Sequence, residues 1–454
     1  MTSEIAVMNK KAVALAADSA VTFTGEAGQK IFPSANKIFT LSKYQPVGVM
    51  IYGNADFMGI PWETIIKIYR KRLGAAAFKS VTGYAENFLD FLRQNDFPFS
   101  DSDIDQLAYV DASIQWCFGR MKEKHSEQVA TALVREGRID QEFSEKLASQ
   151  IILREVFKWE DAETAPTAPA NFVTTFTDSF GYVIDKAIKE IFEGIPLTDA
   201  ATEQLWKIAV HLFQNFPRHV HIPASSGVVF AGFGTDEVFP VLESYTIEGR
   251  ILDYLKHRKE EKWCARIGGK KDAVVLPFAQ REMVDTFMAG IDPDFRLLIR
   301  NQIESLRNSL QETKLEEIVD WHWDPENEYD DPDFITDLER SLEEYWTDIR
   351  EALHGLLESR FNQFQQSISK HSREWHAGPI LRVVGGLPKD ELALMAETLI
   401  NLTSFKKRVS FQAETVGGPI DVAVISKGDG FIWIKRKNYF NSDANPQFLA
   451  NYFK

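Results

Sequence analysis

Two apolar runs joined by a pair of polar residues constrain this chain before anything else does: Glu4–Met8, then Asn9-Lys10, then Lys11–Ala17. Short runs bounded by turn formers read as two strands closed by a tight turn. Such a hairpin returns the chain to its start. It therefore sets Asp18, at the end of the second run, beside Thr2, ahead of the first. Lys37 follows in Ser34-Ala-Asn-Lys-Ile-Phe-Thr-Leu41, after a stretch at Thr24–Ser34 that reads as a loop.

These three residues make a chemical set. Methionine is trimmed when a small residue such as threonine follows it, so Thr2 is expected to carry a free α-amine next to its hydroxyl. A hydroxyl is a weak nucleophile that needs a neighbouring base. A terminal amine titrates near ~7.7–8.0, far below a lysine side chain at ~10.4. A nearby lysine cation disfavours the protonated amine and lowers its pKa further. Thr2 is then the nucleophile with its own base, Lys37 tunes that base, and Asp18 orients Lys37. Singly, each residue has a plainer reading: a common second residue, a turn former and a solvated lysine.

The segments Ile5–Asp18, Lys37-Ile-Phe39 and Gly48-Val-Met-Ile-Tyr-Gly-Asn-Ala55 together resemble the N-terminal half of proteasome β-type subunits, a group that includes HslV-type and Anbu-type proteins. Gly417–Ile425 with Lys427–Ile434 resembles the last strand pair of that family, and Lys389–Leu402 its penultimate helix. Val228–Gly234 through Arg250 is similar to its central hairpin. The matches occur in family order and cover about a third of the chain. The resemblance implies an N-terminal-nucleophile (Ntn) hydrolase: an α+β protein built as a four-layer αββα sandwich, here with helical insertions. It puts the nucleophile at Thr2, the catalytic acid at Asp18 and the lysine at Lys37. The oxyanion donor falls on the backbone N–H at about Met50, where only the backbone matters.

The pattern departs from the family in its supporting residues. The family has a Gly-Ser-Gly segment at the start of the helix after the central hairpin. The corresponding stretch here is Leu276–Arg281, with Ala279 or Gln280 at the serine position. The Asp and Ser that many members place before the last Gly-Gly pair are replaced in Ala413-Glu-Thr-Val416, where Glu414 or Thr415 would substitute.

At 454 residues the chain has about three domains' worth of length. The boundaries expected are 1–78, 223–292 and 386–454 for the sandwich core, with helical insertions at 79–222 and 293–385. Strands are expected at about 4–8, 11–18, 36–42 and 47–53, and a helix over Pro61–Arg72. In the second insertion Ile335, Leu338, Leu342, Tyr345, Ile349, Leu353 and Leu356 recur at helical spacing, behind a cap at Asp331-Pro332-Asp333. This stripe is expected to pack on the chain's own core, with a partner subunit as the alternative. The 33 phenylalanines are spread along the sequence and read as core packing.

A net charge of −15 argues against a nucleic-acid partner, since phosphate binding needs a basic surface. The basic segment Lys256–Lys262 carries Glu260 and Glu261 and reads as a solvated helix face. Two cysteines are too few for a disulfide framework. Without a secretory signal or an apolar stretch of the ~18 residues that span a bilayer, a cytoplasmic protein with no membrane partner is expected. The acidic run Asp320–Asp333 lacks calcium-loop spacing, and His219-Val-His221 lacks a third ligand, so neither metal nor cofactor is expected. No Walker loop is present, so any unfoldase would be a separate ATPase.

The reading is a threonine-type peptidase acting through an acyl-enzyme on Thr2, with a peptide or amide substrate. The resemblance adds a homo-oligomer, ring or ring-like. The alternatives are a noncatalytic structural or regulatory assembly protein on the same fold, and a small-molecule amidase.

Overall fold

The computed structural model describes residues 2–25, 28–94, 103–217, 222–312, 332–410, 416–438, 440 and 444–447. The chain opens with the hairpin β1 (Ser3–Asn9) and β2 (Ala12–Ala17), a second hairpin β3 (Ala20–Gly25) and β4 (Gly28–Pro33), then β5 (Ile38–Thr40) and β6 (Val47–Gly53). A short ribbon of β7 (Asp56–Phe57) and β8 (Ile60–Pro61) leads into α1 (Trp62–Leu73). The helices α2 (Val81–Arg93), α3 (Asp103–Glu136) and α4 (Gln141–Glu160) precede the two-residue strand β9 (Glu163–Thr164). Next come α5 (Phe172–Ile191), α6 (Asp199–Gln214) and β10 (Asn215–Phe216), which pairs with β9. Strands return as β11 (Ser226–Gly232), β12 (Val241–Ile251), β13 (Tyr254–Lys259), β14 (Ala265–Arg266) and β15 (Ala273–Ala279). Then follow α7 (Glu282–Ala289), α8 (Pro293–Glu312), α9 (Pro332–His371) and α10 (Gly378–Gly386). The chain continues with α11 (Lys389–Val409), β16 (Asp421–Ser426) and β17 (Gly430–Lys435).

The fold is mixed helix and strand with open antiparallel sheets. One sheet runs β15-β1-β2-β16-β17, the other β13-β12-β11-β6-β5 with β14 beside β12. Every residue of β1 and β2 is buried, as strands covered on both faces must be. Period-two alternation divides them. Ala6, Met8, Val13, Leu15 and Ala17 join Met50, Val229, Ala231 and Leu242 of the other sheet in one apolar cluster. The opposite face of β2 offers Ala12, Ala14 and Ala16, and α11 packs against β1, β2 and β16. Small side chains there let the helix lie close. It buries Leu392, Ala393, Ala396, Leu399, Ile400 and Thr403, a stripe at helical spacing. On the second sheet α2 packs against β11, β12 and β13, burying Val81, Tyr84, Ala85, Phe88 and Leu92.

Two expectations change here. Within the Thr24–Ser34 stretch, residues 24–25 and 28–33 are not loop but strand, paired as parts of β3 and β4. The stretch read as the start of a helix, Leu276–Arg281, is mostly β15, antiparallel to β1 with Ser3 opposite Ala279. Pro277 is tolerated because β15 is an edge strand.

The contact pattern divides the chain into one unit of residues 1–280 with 385–454 and a second of 281–384. The expected insertion at 79–222 has no unit of its own. Its apolar cluster, centred on Phe118, Trp159, Phe176 and Phe213, takes in Ile251 and Tyr254 of the sheet region. Lys256, read as part of a solvated helix, is in β13 and buried, its ammonium paired with Glu248 and bonded to Leu212 O at 2.8 Å. A buried cation needs such partners.

In the second unit α8 and α9 pack together, and α9 continues through a π-helical stretch, Ser372–Ala377, that contacts α7. Asp292 Oδ1 accepts the Asp294 N–H at 2.9 Å, capping α8 with Pro293 in its first turn. Tyr345, Ile349, Leu353 and Leu356 of α9 are exposed rather than packed on a core.

Candidate functional site

The β1–β2 turn fixes the geometry of the site. Asn9 Oδ1 accepts the Lys11 N–H at 2.9 Å, closing the turn that aligns Glu4 with Ala17. Asp18 therefore arrives beside the start of β1: its N–H donates to Ser3 O at 3.1 Å, and its Oδ1 accepts the Ser3 N–H, also at 3.1 Å. The Lys37 ammonium donates to the same Oδ1. Lys37 enters just ahead of β5, where its carbonyl accepts the Ile51 N–H at 2.8 Å. Asp18, Lys37 and Thr2 are all buried.

The far end of the sequence completes the acid's surroundings. Asp18 Oδ2 accepts the Gly417 N–H at 2.9 Å, and Ser19 N donates to Gly417 O at 3.3 Å. Gly418 adopts a φ of +80°, where a Cβ would stand 2.6 Å from Pro33 Cβ. Only glycine suits that turn. The adjoining Glu414 and Thr415 lie outside the described residues, as do His219, His221 and most of the acidic run at 320–333.

Thr2 is held by its backbone, its carbonyl accepting the Gln280 N–H at 3.1 Å. Ala279 and Gln280 thus stand next to Thr2, though on a strand end and not on a helix. Ala279 is one of the few non-glycine residues with positive φ, at 55°. The Thr2 hydroxyl is buried and has no hydrogen-bond partner among the described residues.

Three charged residues of this region were missed in the sequence. Glu4 is fully buried, and its Oε1 lies 3.2 Å from Lys37 Nζ. Burial pushes its carboxyl up to about 7; the Lys37 charge opposes this and Asp18 adds to it. The signal was available: Glu4 shares a strand face with Ala6 and Met8, so an inward-facing β1 must take a carboxylate inside. Asp421, opposite Ala17 in the sheet, accepts the Lys437 N–H at 2.8 Å and pairs with the Lys437 ammonium. Burial lowers the Lys437 pKa and Asp421 counters it, while the charges of Lys37 and Asp18 also act on it. No local pattern announces this pair, because it needs β16 to lie beside β2.

Met50 is placed differently from its expected role. It sits inside β6, opposite Ile38 on one side and Val229 on the other. Successive N–H groups of an inner strand point to alternate neighbours. Ile51 N–H points to Lys37 O, so Met50 N–H points toward β11. It occupies a ladder position, and the geometry gives an oxyanion role at Met50 no support.

A cavity of about 470 Å³ lined by Arg93, Phe172, Leu252 and Tyr254 shares no residue with the Thr2 cluster. The candidate site therefore rests on its chemistry and not on cavity size. Cys117 and Cys264 are both free thiols. No helix among the described residues is long and apolar enough to cross a membrane. In comparisons with known proteins, no family model matches the chain and no curated protein is significantly similar to it.

Proposed function

We propose that this chain is a threonine-type amide hydrolase of the N-terminal-nucleophile kind, with Thr2 as nucleophile. The observation that carries the reading is the buried Asp18–Lys37 pair, tied to the Ser3 N–H directly after a Thr2 hydroxyl that has no partner among the described residues. A four-layer αββα core is the matching architecture. It is supported by α11 on one sheet, α2 on the other and the apolar cluster shared by both.

Once residue 2 is terminal, its amine takes the Oγ1 proton as Oγ1 attacks an amide carbonyl. The protonated amine then passes that proton to the leaving nitrogen, and water hydrolyses the Thr2 ester. The Lys37 cation favours the neutral amine at the start of the cycle. The oxyanion donor belongs to a backbone N–H other than that of Met50. A homo-oligomer and a separate ATPase belong to the proposal through the family resemblance alone.

A noncatalytic assembly role is the second reading. It is favoured by Ala279 and Gln280 standing beside Thr2 where the family has a serine. Hydrolysis assays on peptide anilides and simple acylated amines separate the readings. The hydrolase reading expects turnover that Thr2→Ser keeps and Thr2→Ala loses by orders of magnitude. Equal turnover in Thr2→Ala, or none in the processed wild type, contradicts it. Turnover confined to acylated amines assigns a small-molecule amidase.

A further inference from the structure

We propose that Glu4 is a positioning residue of the Thr2 site, competing with Asp18 for the Lys37 ammonium and switching Lys37 between one carboxylate partner and two. The inference rests on the hydrolase reading for its consequence at Thr2, but its structural part stands alone.

The geometry is that of a shared cation. Lys37 Nζ donates to Asp18 Oδ1 and lies 3.2 Å from Glu4 Oε1, with both carboxylates fully out of solvent. The two acids are not equivalent. Asp18 is fixed by the Ser3 and Gly417 N–H groups. Neither oxygen of Glu4 accepts a hydrogen bond among the described residues. A buried carboxylate whose ammonium neighbour is already bonded to another acid is costly, and protonation relieves the cost.

The charges around Glu4 act in opposite directions, the Lys37 cation lowering its pKa and the Asp18 carboxylate raising it. From the end of β2 comes Asp18, and from ahead of β5 comes Lys37. Beyond them, from β16 and the residues after β17, stand Asp421 and Lys437. Thr2 and Gln280 contribute no charged side chain. Asp18 and Asp421 already balance Lys37 and Lys437, so an ionised Glu4 gives the cluster one excess negative charge. Burial holds the Glu4 carboxyl high, at about 7, against the Lys37 charge and with a smaller push from Asp18. At lower pH Lys37 faces Asp18 alone and its positive field acts fully on the Thr2 amine. Once Glu4 ionises, the added negative charge stabilises the protonated amine and holds back the base.

Two measurements on the full chain test this, with Glu4→Gln as the neutral isostere and Glu4→Asp as the variant that keeps the charge. In urea titrations from pH 4.5 to pH 8, the raised carboxyl of the folded state costs wild type stability as pH rises from the ordinary carboxylate value through about 7. The folded-to-unfolded ratio of wild type, relative to Glu4→Gln, is expected to fall by on the order of a hundredfold across that range. A difference that stays flat with pH overturns the proposal.

The second readout is the rate at which a threonine-directed electrophile labels Thr2. Its rising acid limb is expected to move to lower pH in Glu4→Gln and to stay in place in Glu4→Asp. Labelling with an unmoved limb in Glu4→Gln overturns the switch while leaving the hydrolase reading intact. Absence of labelling in processed wild type removes the hydrolase reading, and the urea titrations then decide the place of Glu4 by themselves.

Discussion

Asp18 accepts the Gly417 N–H at 2.9 Å across 399 positions of sequence, so one carboxylate ties the first hairpin to the last strands of the chain. The same side chain holds Ser3 and Lys37. Removing it as Asp18→Ala leaves the buried Ser3 N–H and the half-buried Gly417 N–H without this acceptor and returns Lys37 to Glu4 alone. A loss of about 3–5 kcal/mol is expected, the scale for breaking a buried ion pair. Chemical denaturation at neutral pH reads it, and a loss under about 1 kcal/mol, the size of a surface pair, contradicts the arrangement.

Lys37→Met tests the cation from the other side. Glu4 then faces Asp18 with no ammonium between them, and its carboxyl is driven higher than in wild type. The sign follows from linkage: a folded-state pKa above the unfolded value gives stability that is present at low pH and lost as pH rises through the folded value. The variant should therefore tolerate more urea near pH 4.5 than near pH 8, with a steeper fall than wild type. Labelling at Thr2 is expected to disappear at both.

The Glu248–Lys256 pair makes a separate prediction about the fold. Both side chains are buried, and burial raises the Glu248 pKa and lowers that of Lys256. Lys256→Ala should cost about 3–5 kcal/mol by stranding Glu248, whereas the double change Glu248→Leu with Lys256→Met should cost much less. Denaturation midpoints of the three proteins decide it.

The close approach of α11 to β2 depends on alanines. Ala14→Leu puts a branched side chain into a fully buried position on the helix-facing side of β2 and should cost about 1–3 kcal/mol through overpacking. Thermal unfolding measures this directly, and an unchanged midpoint contradicts the packing described.

The first hairpin was legible because both strands and their turn lie within seventeen residues, where alternation and turn chemistry act locally. Thr2, Asp18 and Lys37 followed from it, and the structure brings Asp18 and Lys37 together next to the Thr2 backbone. What escaped the sequence depends on distant partners. Strand β15 owes its conformation to pairing with β1, and its Pro277 masks it locally. Lys256 looks like a surface residue until Glu248 and Leu212 O are beside it. Glu4 looked like a strand's polar first residue because its cover, the second sheet, comes from later in the chain. The direction of the Met50 N–H was not legible for the same reason: it depends on the strands beside it, and β11 begins far downstream at Ser226.

The most direct measurement is the intact mass of the purified chain before and after treatment with a threonine-directed electrophile, with the adduct located by fragmentation. The account predicts a protein that has lost Met1 and gains one adduct on Thr2, absent from Thr2→Ala. Retained Met1, or an adduct that persists in Thr2→Ala, contradicts it.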